Sequence, residues 1–198
     1  MTNRREFLQA AAVTAVPVAA GAAPIAPTPD TPRRPTLHAV LIDERHEEIR
    51  TFAARMASRR ESVHAIPDGD VTAIWLREIR PAWKRQEVPV AGLTERPALF
   101  CLEQLALGSG LRVVFHGEHI VHPGGETEHS LLRGGATNAL SARDLMRAGP
   151  LWPALVAQAM TWPVEFAPRP RLGPTNAGFA PRLPPGARFL TSWIIARV

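Results

Sequence analysis

Between Leu37 and Val121 the apolar residues switch repeatedly between two spacings, and that alternation constrains the fold more than any other feature of the chain. Leu37 to Ile42 is a short, largely apolar run ending at Asp43, the pattern of a strand. From Arg45 to Arg59, Ile49, Phe52, Ala53 and Met56 recur at i, i+3, i+4 and i+7, which places them on one face of a helix. Ser62 to Ile66 predicts a second strand, closed by Pro67-Asp68-Gly69. Asp70 is the expected N-cap of a helix carrying Val71, Ile74, Trp75 and Ile79, and Pro81 is expected to end or kink it near Arg80. Val88 to Leu93 gives a weaker third strand, because Pro89 cannot donate to a ladder. Thr94 is the expected cap of a helix over Glu95–Leu107, with Gly108 as its stop. That helix is apolar over most of its surface and is predicted to be heavily buried. Arg112 to Phe115 reads as a fourth strand, with Val121 as its furthest extension.

Strands alternating with helices of this length favour a parallel sheet covered by helices. The expectation is an α/β protein with a single compact domain over 37–198. It is a three-layer, Rossmann-like, mostly parallel sheet with helices on both faces. The second half is less regular. Ser141-Ala142-Arg143-Asp144 is an acidic capping box, Gly149-Pro150 a break, and Leu151–Met160 another helix. Residues 163–187 hold seven prolines and three glycines, which predicts an irregular Pro-rich arm. The apolar segment from Arg188 to Val198 is predicted to add a final strand.

In open α/β sheets ligands bind beyond the carboxyl ends of the strands. Four loops should meet there: Asp43-Glu44-Arg45-His46, Asp68-Gly69-Asp70, Gly92-Leu93-Thr94-Glu95-Arg96 and His116-Gly117-Glu118-His119. Asp43, Arg45, Thr94 and Arg96 are the ligand-edge candidates, although Thr94 and Asp70 are also explained as helix caps. Four of the seven histidines (His116, His119, His122 and His129) fall within fourteen residues, interleaved with Glu118, Glu126 and Glu128. Imidazole and carboxylate suit zinc, iron or copper. His116, Glu118 and His119 are therefore the candidate ligands of a transition metal. On an extended strand Glu118 shares a face with His116 and His119 points away; a turn at Gly117 brings the two histidines together. The bland alternative is a polar glycine-rich loop, with Gly124-Gly125 and Gly134-Gly135 as its joints.

The chain lacks a phosphate-cradling glycine loop, a nucleophile elbow and a haem-attachment motif. Its charge is +5, and Lys84 is the only lysine. The arginines are scattered rather than gathered with aromatics, so a nucleic-acid-binding stripe is not expected. Cys101 is alone, which excludes an intrachain disulfide, and its apolar setting predicts a buried, inert thiol.

Arg4 and Arg5, followed by Phe7, Leu8 and the weakly apolar run Ala10–Ala23, resemble a twin-arginine (Tat) signal peptide. The resemblance covers 1–23 and implies recognition by the Tat translocase and cleavage near Ala22-Ala23. It implies a bacterial periplasmic protein with no stable membrane span after cleavage. A Pro-rich linker over 24–36 follows. Tat cargo folds before export, which implies a cofactor, a partner subunit or rapid folding. The expected function is an exported accessory or ligand-binding protein, working as a partner subunit of a periplasmic enzyme or holding a small-molecule ligand. The alternative is a small metal-assisted hydrolase or redox enzyme, with its His/Glu site at the sheet edge.

Overall fold

Residues 37–85, 89–133, 140–160 and 183–197 are described in the computed structural model. The four apolar residues of β1 (Ala39–Ile42) are all buried, as a strand covered on both faces must be. α1 (Glu47–Ser58) follows, burying Ile49, Phe52 and Met56 as its spacing requires. β2 (Val63–Ala65) is short. Asp70 Oδ1 then accepts from the Thr72 backbone N–H at 2.8 Å, so it performs the expected capping. Helix α2 (Thr72–Ile74) runs through a π turn, Trp75–Ile79, into α3 (Arg80–Arg85). Pro81 does not stop this helix. The turn before it widens, with the Arg80 N–H bonding to the Trp75 carbonyl, which accommodates a proline ring inside the helix.

β3 (Val90–Glu95) runs directly into α4 (Arg96–Leu107). β4 (Leu111–Val121) is long and alternates buried and more exposed positions. A turn after Val121 leads into β5 (Thr127–Arg133), a strand that sequence spacing did not predict. In α5 (Ala142–Ala148) the Ser141/Asp144 capping box forms as expected. α6 (Trp152–Met160) and β6 (Arg188–Arg197) complete the described elements. The expected signal peptide and linker, the Gly134-Gly135 joint and most of the Pro-rich arm lie outside the described residues.

The six strands form one sheet in the order β2-β1-β3-β6-β4-β5. β1 pairs in parallel with β2 and β3. β6 enters between β3 and β4, antiparallel to both, and β5 is antiparallel to β4. The sheet is therefore mixed, which corrects the expectation of a mostly parallel one. The C-terminal strand joins the sheet as predicted, but at its centre. A segment with Leu190, Trp193, Ile194 and Ile195 all buried has enough apolar surface on both faces to be a central strand.

Alternation along the strands feeds two cores. One holds Val40, Ile42, Leu93, Leu190 and Ile194 with α1, Leu145 of α5, and Trp152 and Val156 of α6. The other holds Leu41, Val90, Trp193 and Ile195 with Trp75, Ile79, Trp83 and the α4 residues Ala98, Leu99, Leu102 and Ala106. Each buried Leu, Ile or Phe in these cores contributes about 1.5–3 kcal/mol. The described residues all belong to one unit, Arg34–Val198. No helix among them is long and apolar enough to cross a membrane.

Candidate functional site at the carboxyl ends of β1 and β3

β1 ends at Ile42, and the next residue, Asp43, is only 1% exposed. A buried carboxylate is costly unless it is paired and hydrogen-bonded. Arg45 supplies the pairing. Its Nε donates to Asp43 Oδ1 at 2.8 Å, its Nη2 to Oδ2, and its backbone N–H to Oδ1 at 3.3 Å. These bonds hold the Asp43 carboxyl below the usual carboxylate range, against burial, which acts to raise it. The same contact, with help from Glu95, raises the Arg45 guanidinium. Arg45 Nη2 also lies 3.1 Å from Glu95 Oε2, and His46 Nε2 donates to Glu95 Oε1 at 2.9 Å. A chain of four side chains thus ties the end of β1 to the end of β3. The Arg45 side chain nevertheless remains 46% exposed. The loop after β2 approaches the pair, with an ideal Cβ on Gly69 standing 3.9 Å from Asp43 Oδ2.

The start of α4 lies at the same edge. Its N-cap, Glu95, makes no side-chain capping bond, and its first turn carries no acidic residue. α1 differs, having Glu47 and Glu48 in its first turn to complement the helix dipole. Arg96 sits at the first position of α4. Its guanidinium lies 3.8 Å from Glu118 Oε1 and 5.8 Å from the centre of the Phe189 ring. Asp43, Arg45 and Arg96 thus lie at the predicted edge.

Glu95 occupies the cap position of α4, so Thr94 is not the helix cap. It lies inside β3, fully buried, and its Oγ1 accepts from the Trp193 indole N–H at 3.1 Å. Gly92 has a matching role. An ideal Cβ there would lie 2.4 Å from Trp193 Cζ2 and 2.8 Å from the Leu41 carbonyl, so this strand position must be glycine for the indole to lie flat. Both residues are explained by packing of the final strand.

The predicted metal ligands do not converge. His116 to His119 is not a loop but the middle of β4, and strand alternation sends neighbouring side chains to opposite faces. Glu118 meets Arg96 of α4 on one face. His119 meets Trp152 of α6 on the other, with ring centres 4.3 Å apart. Among the described residues no three His, Cys, Asp or Glu side chains are grouped to hold a metal ion.

His119 instead anchors a closed polar chain. Its Nε2 is 2.8 Å from Ser192 Oγ and its Nδ1 is 2.8 Å from His129 Nδ1. Gly117 makes room for this chain, since a Cβ there would stand 2.6 Å from Ser192 Oγ. Burial, together with the neighbouring His129 and His116, pushes His119 well below the ordinary histidine range. Burial pushes His129 down to about 4. Sequence reasoning put His46 and Glu95 in loops at this edge without singling them out, and it missed Ser192 and Trp152 beside His119. The available signal was Glu95, a carboxylate placed where β3 becomes α4.

No family model, curated protein or solved structure matches this chain.

Proposed function

We propose that the protein is an exported bacterial ligand-binding or accessory protein of the periplasm. On this reading it is a three-layer, Rossmann-like variant, and it takes a small anionic ligand at the carboxyl ends of β1 and β3. The observation that carries the proposal is the clamped arginine. A buried Asp43 fixes the Arg45 guanidinium, yet nearly half of that side chain faces solvent. An arginine held this way keeps donors oriented without losing side-chain entropy on binding, and it suits a carboxylate or phosphate.

Two further features support the anion. The first turn of α4 has no acidic side chain of its own, so the positive end of its dipole favours a negative group. Arg96 stands beside that turn, loosely paired with Glu118 at 3.8 Å. Asp43 is then a positioning residue, while Arg45 and Arg96 are the binding residues. Export rests on the resemblance of residues 1–23 to a twin-arginine signal. A partner subunit sharing this signal would bind before export and cross with the protein.

The test combines two measurements. Native mass spectrometry of protein purified from its own periplasm should show a chain processed near Ala22-Ala23 and retaining a small acid or a companion chain. Calorimetric titration with small dicarboxylates and inorganic phosphate should then show binding that weakens at least about tenfold in Arg45→Ala and Arg96→Ala. A chain that stays cytoplasmic would sink the export reading. Equal binding by wild type and both variants would sink the site.

A further inference from the structure

α4 is less buried than its sequence predicts. It packs Ala98, Leu99, Leu102 and Ala106 against the sheet and leaves Phe100 and Leu107 exposed. Cys101 is exposed too, contrary to the expected buried thiol, because it falls one residue outside the buried stripe. The end of α4 that meets the candidate site is its N-terminus, where Glu95 holds the cap position without capping. Its carboxylate turns to Arg45 and His46 instead.

Arg45 therefore faces two carboxylates, and they hold it unequally. Asp43 is 1% exposed and accepts from Nε, Nη2 and the backbone N–H. The Glu95 side chain is 35% exposed and reaches the guanidinium through one contact, Oε2 to Nη2 at 3.1 Å. Asp43 takes the Nε–Nη2 side of the guanidinium, so the Nη1–Nη2 end is the edge left for a second bidentate group. Glu95 already stands at half of that edge. A single positive charge is thus matched by two negative ones, and an incoming anion is repelled by a carboxylate at the position it needs.

We propose that Glu95 is a resident stand-in for the ligand: it occupies the position of the ligand's carboxylate on Arg45, and binding exchanges one carboxylate for the other. The inference rests on the anion-site reading above, and it specifies the ligand as a carboxylic acid and the regulation as internal competition. Only Glu95 is replaceable, because Asp43 is buried and held three times over. The exchange costs little. Glu95 gives up one contact on Arg45 and keeps His46, whose Nε2 lies 2.9 Å from Oε1. The ligand gains that contact together with Nη1, while Asp43 keeps the guanidinium still. Apparent affinity is reduced in proportion to the fraction of molecules in which Glu95 is in position. A monocarboxylate offers only the exchange, whereas a dicarboxylate adds a second charge for Arg96, the residue after Glu95.

Calorimetric titration of the full chain with succinate tests this. Glu95→Gln removes the competing charge and Glu95→Ala the whole group; each should tighten succinate binding at least about fivefold. A Glu95 that only supported the structure would loosen binding when removed, so the direction of the change separates the two roles. A cooperative melt confirms that each variant is folded. Glu44→Gln neutralises an exposed carboxylate one residue from Arg45 and should change affinity less than about twofold. Unchanged or weaker succinate binding in both Glu95 variants, with binding present in wild type and lost in Arg45→Ala, overturns the competition and leaves the site standing. Equal tightening in Glu44→Gln overturns it as well, because general charge would then be the cause. Inorganic phosphate binding more tightly than succinate overturns the carboxylate assignment. No succinate binding by any of these proteins overturns the site, and the inference with it.

Discussion

Glu95 and His119 lie on the same cross-strand row of the sheet, separated by one residue, Leu190, which pairs with both. The row continues to His129 on β5. On the β1–β3 side of Leu190 the polar groups form a charged network at the sheet end, in which Arg45 keeps half its surface in water. On the β4–β5 side the polar groups are two imidazoles and a hydroxyl packed by Trp152, with His119 and Ser192 fully buried and His129 partly so. Histidine and carboxylate occur in both halves of the sequence, so residue type does not explain the difference. Cover explains it. α6 sits on His119, whereas the β1–α1 turn only brings Arg45 across the sheet end. Polar groups left open can answer a ligand, and polar groups sealed in must answer one another.

The sealed half should therefore respond most strongly to mutation, and in stability rather than binding. His119→Ala removes a buried ring packed on Trp152 and takes hydrogen-bond partners from Ser192 and His129. We expect a loss of about 3 kcal/mol in urea unfolding, with ligand affinity unchanged in the folded fraction. A loss below about 1 kcal/mol would mean that the ring is not packed as described.

pH gives the next largest effect, because burial holds both rings neutral. If His119 Nδ1 donates to His129, then Ser192 donates to His119 Nε2; if His129 donates, the whole chain reverses. Either arrangement is complete with both rings neutral. An added proton puts a charge on a ring that burial withdraws from water, and that is the cost. The folded-state value of His129 is about 4, against the ordinary 6.5. Above pH 6.5 neither the folded nor the unfolded chain carries the proton, and stability is full. Between 6.5 and about 4 the unfolded chain takes the proton and the folded chain does not, so stability falls as pH falls. Below about 4 His129 adds no further loss, while His119, also lowered by burial, acts in the same direction over its own window. Each group contributes up to about 1.4 kcal/mol per pH unit inside its window. Thermal melts from pH 7.5 to 4 should show this slope, and His129→Phe should reduce it. A flat profile would place both rings in contact with water.

Arg45→Ala should reverse the pattern. Asp43 would be left buried with its main partner gone, but the site borders solvent. We therefore expect about 1–2 kcal/mol of lost stability, less than for a deeply buried pair. The sign of the pH response would also change at this residue. In wild type the lowered Asp43 value adds stability above the ordinary carboxylate range and loses it as pH falls through the folded value. Without Arg45 the carboxyl titrates upward, and that stabilising contribution disappears. Ligand affinity should fall at the same time, which His119→Ala does not cause.

The open half was the more legible in the sequence, for a physical reason. Asp43 and Arg45 follow a buried strand and precede a helix, so local spacing alone places them at a strand end. Glu118 and His119 were left between a loop and an extended strand, and the strand formed, because their surroundings are not local. β4 continues past Phe115 only because β6, seventy residues later, supplies Ser192, Thr191 and Leu190 as cross-strand partners. β5 was invisible for the same reason: its polar alternation becomes a strand through pairing with β4. Thr94 and Gly92 looked functional in isolation and prove to be shaped by Trp193, again on β6. The periodicity of β6 showed that it would be a strand but not that it would enter at the centre, antiparallel to both of its neighbours. Local periodicity reports elements; the order in which strands meet depends on contacts that single-segment spacing does not contain.

The smallest expected effect isolates cover as the cause. The hairpin between β4 and β5 carries its own histidine–carboxylate pair, His122 Nε2 to Glu128 Oε1 at 2.7 Å, against 2.9 Å for His46 and Glu95. By distance the hairpin pair is the stronger. Its glutamate is 70% exposed, however, while the Glu95 side chain is 35% exposed and also holds Arg45. Water screens the first pair and competes for both partners. Glu128→Gln should therefore change stability by less than about 0.5 kcal/mol, while Glu95→Gln should cost roughly 1 kcal/mol and loosen Arg45. Parallel urea titrations of the two variants at pH 7 decide the matter. Equal effects would show that contact distance, rather than burial and shared partners, governs the contribution of these pairs.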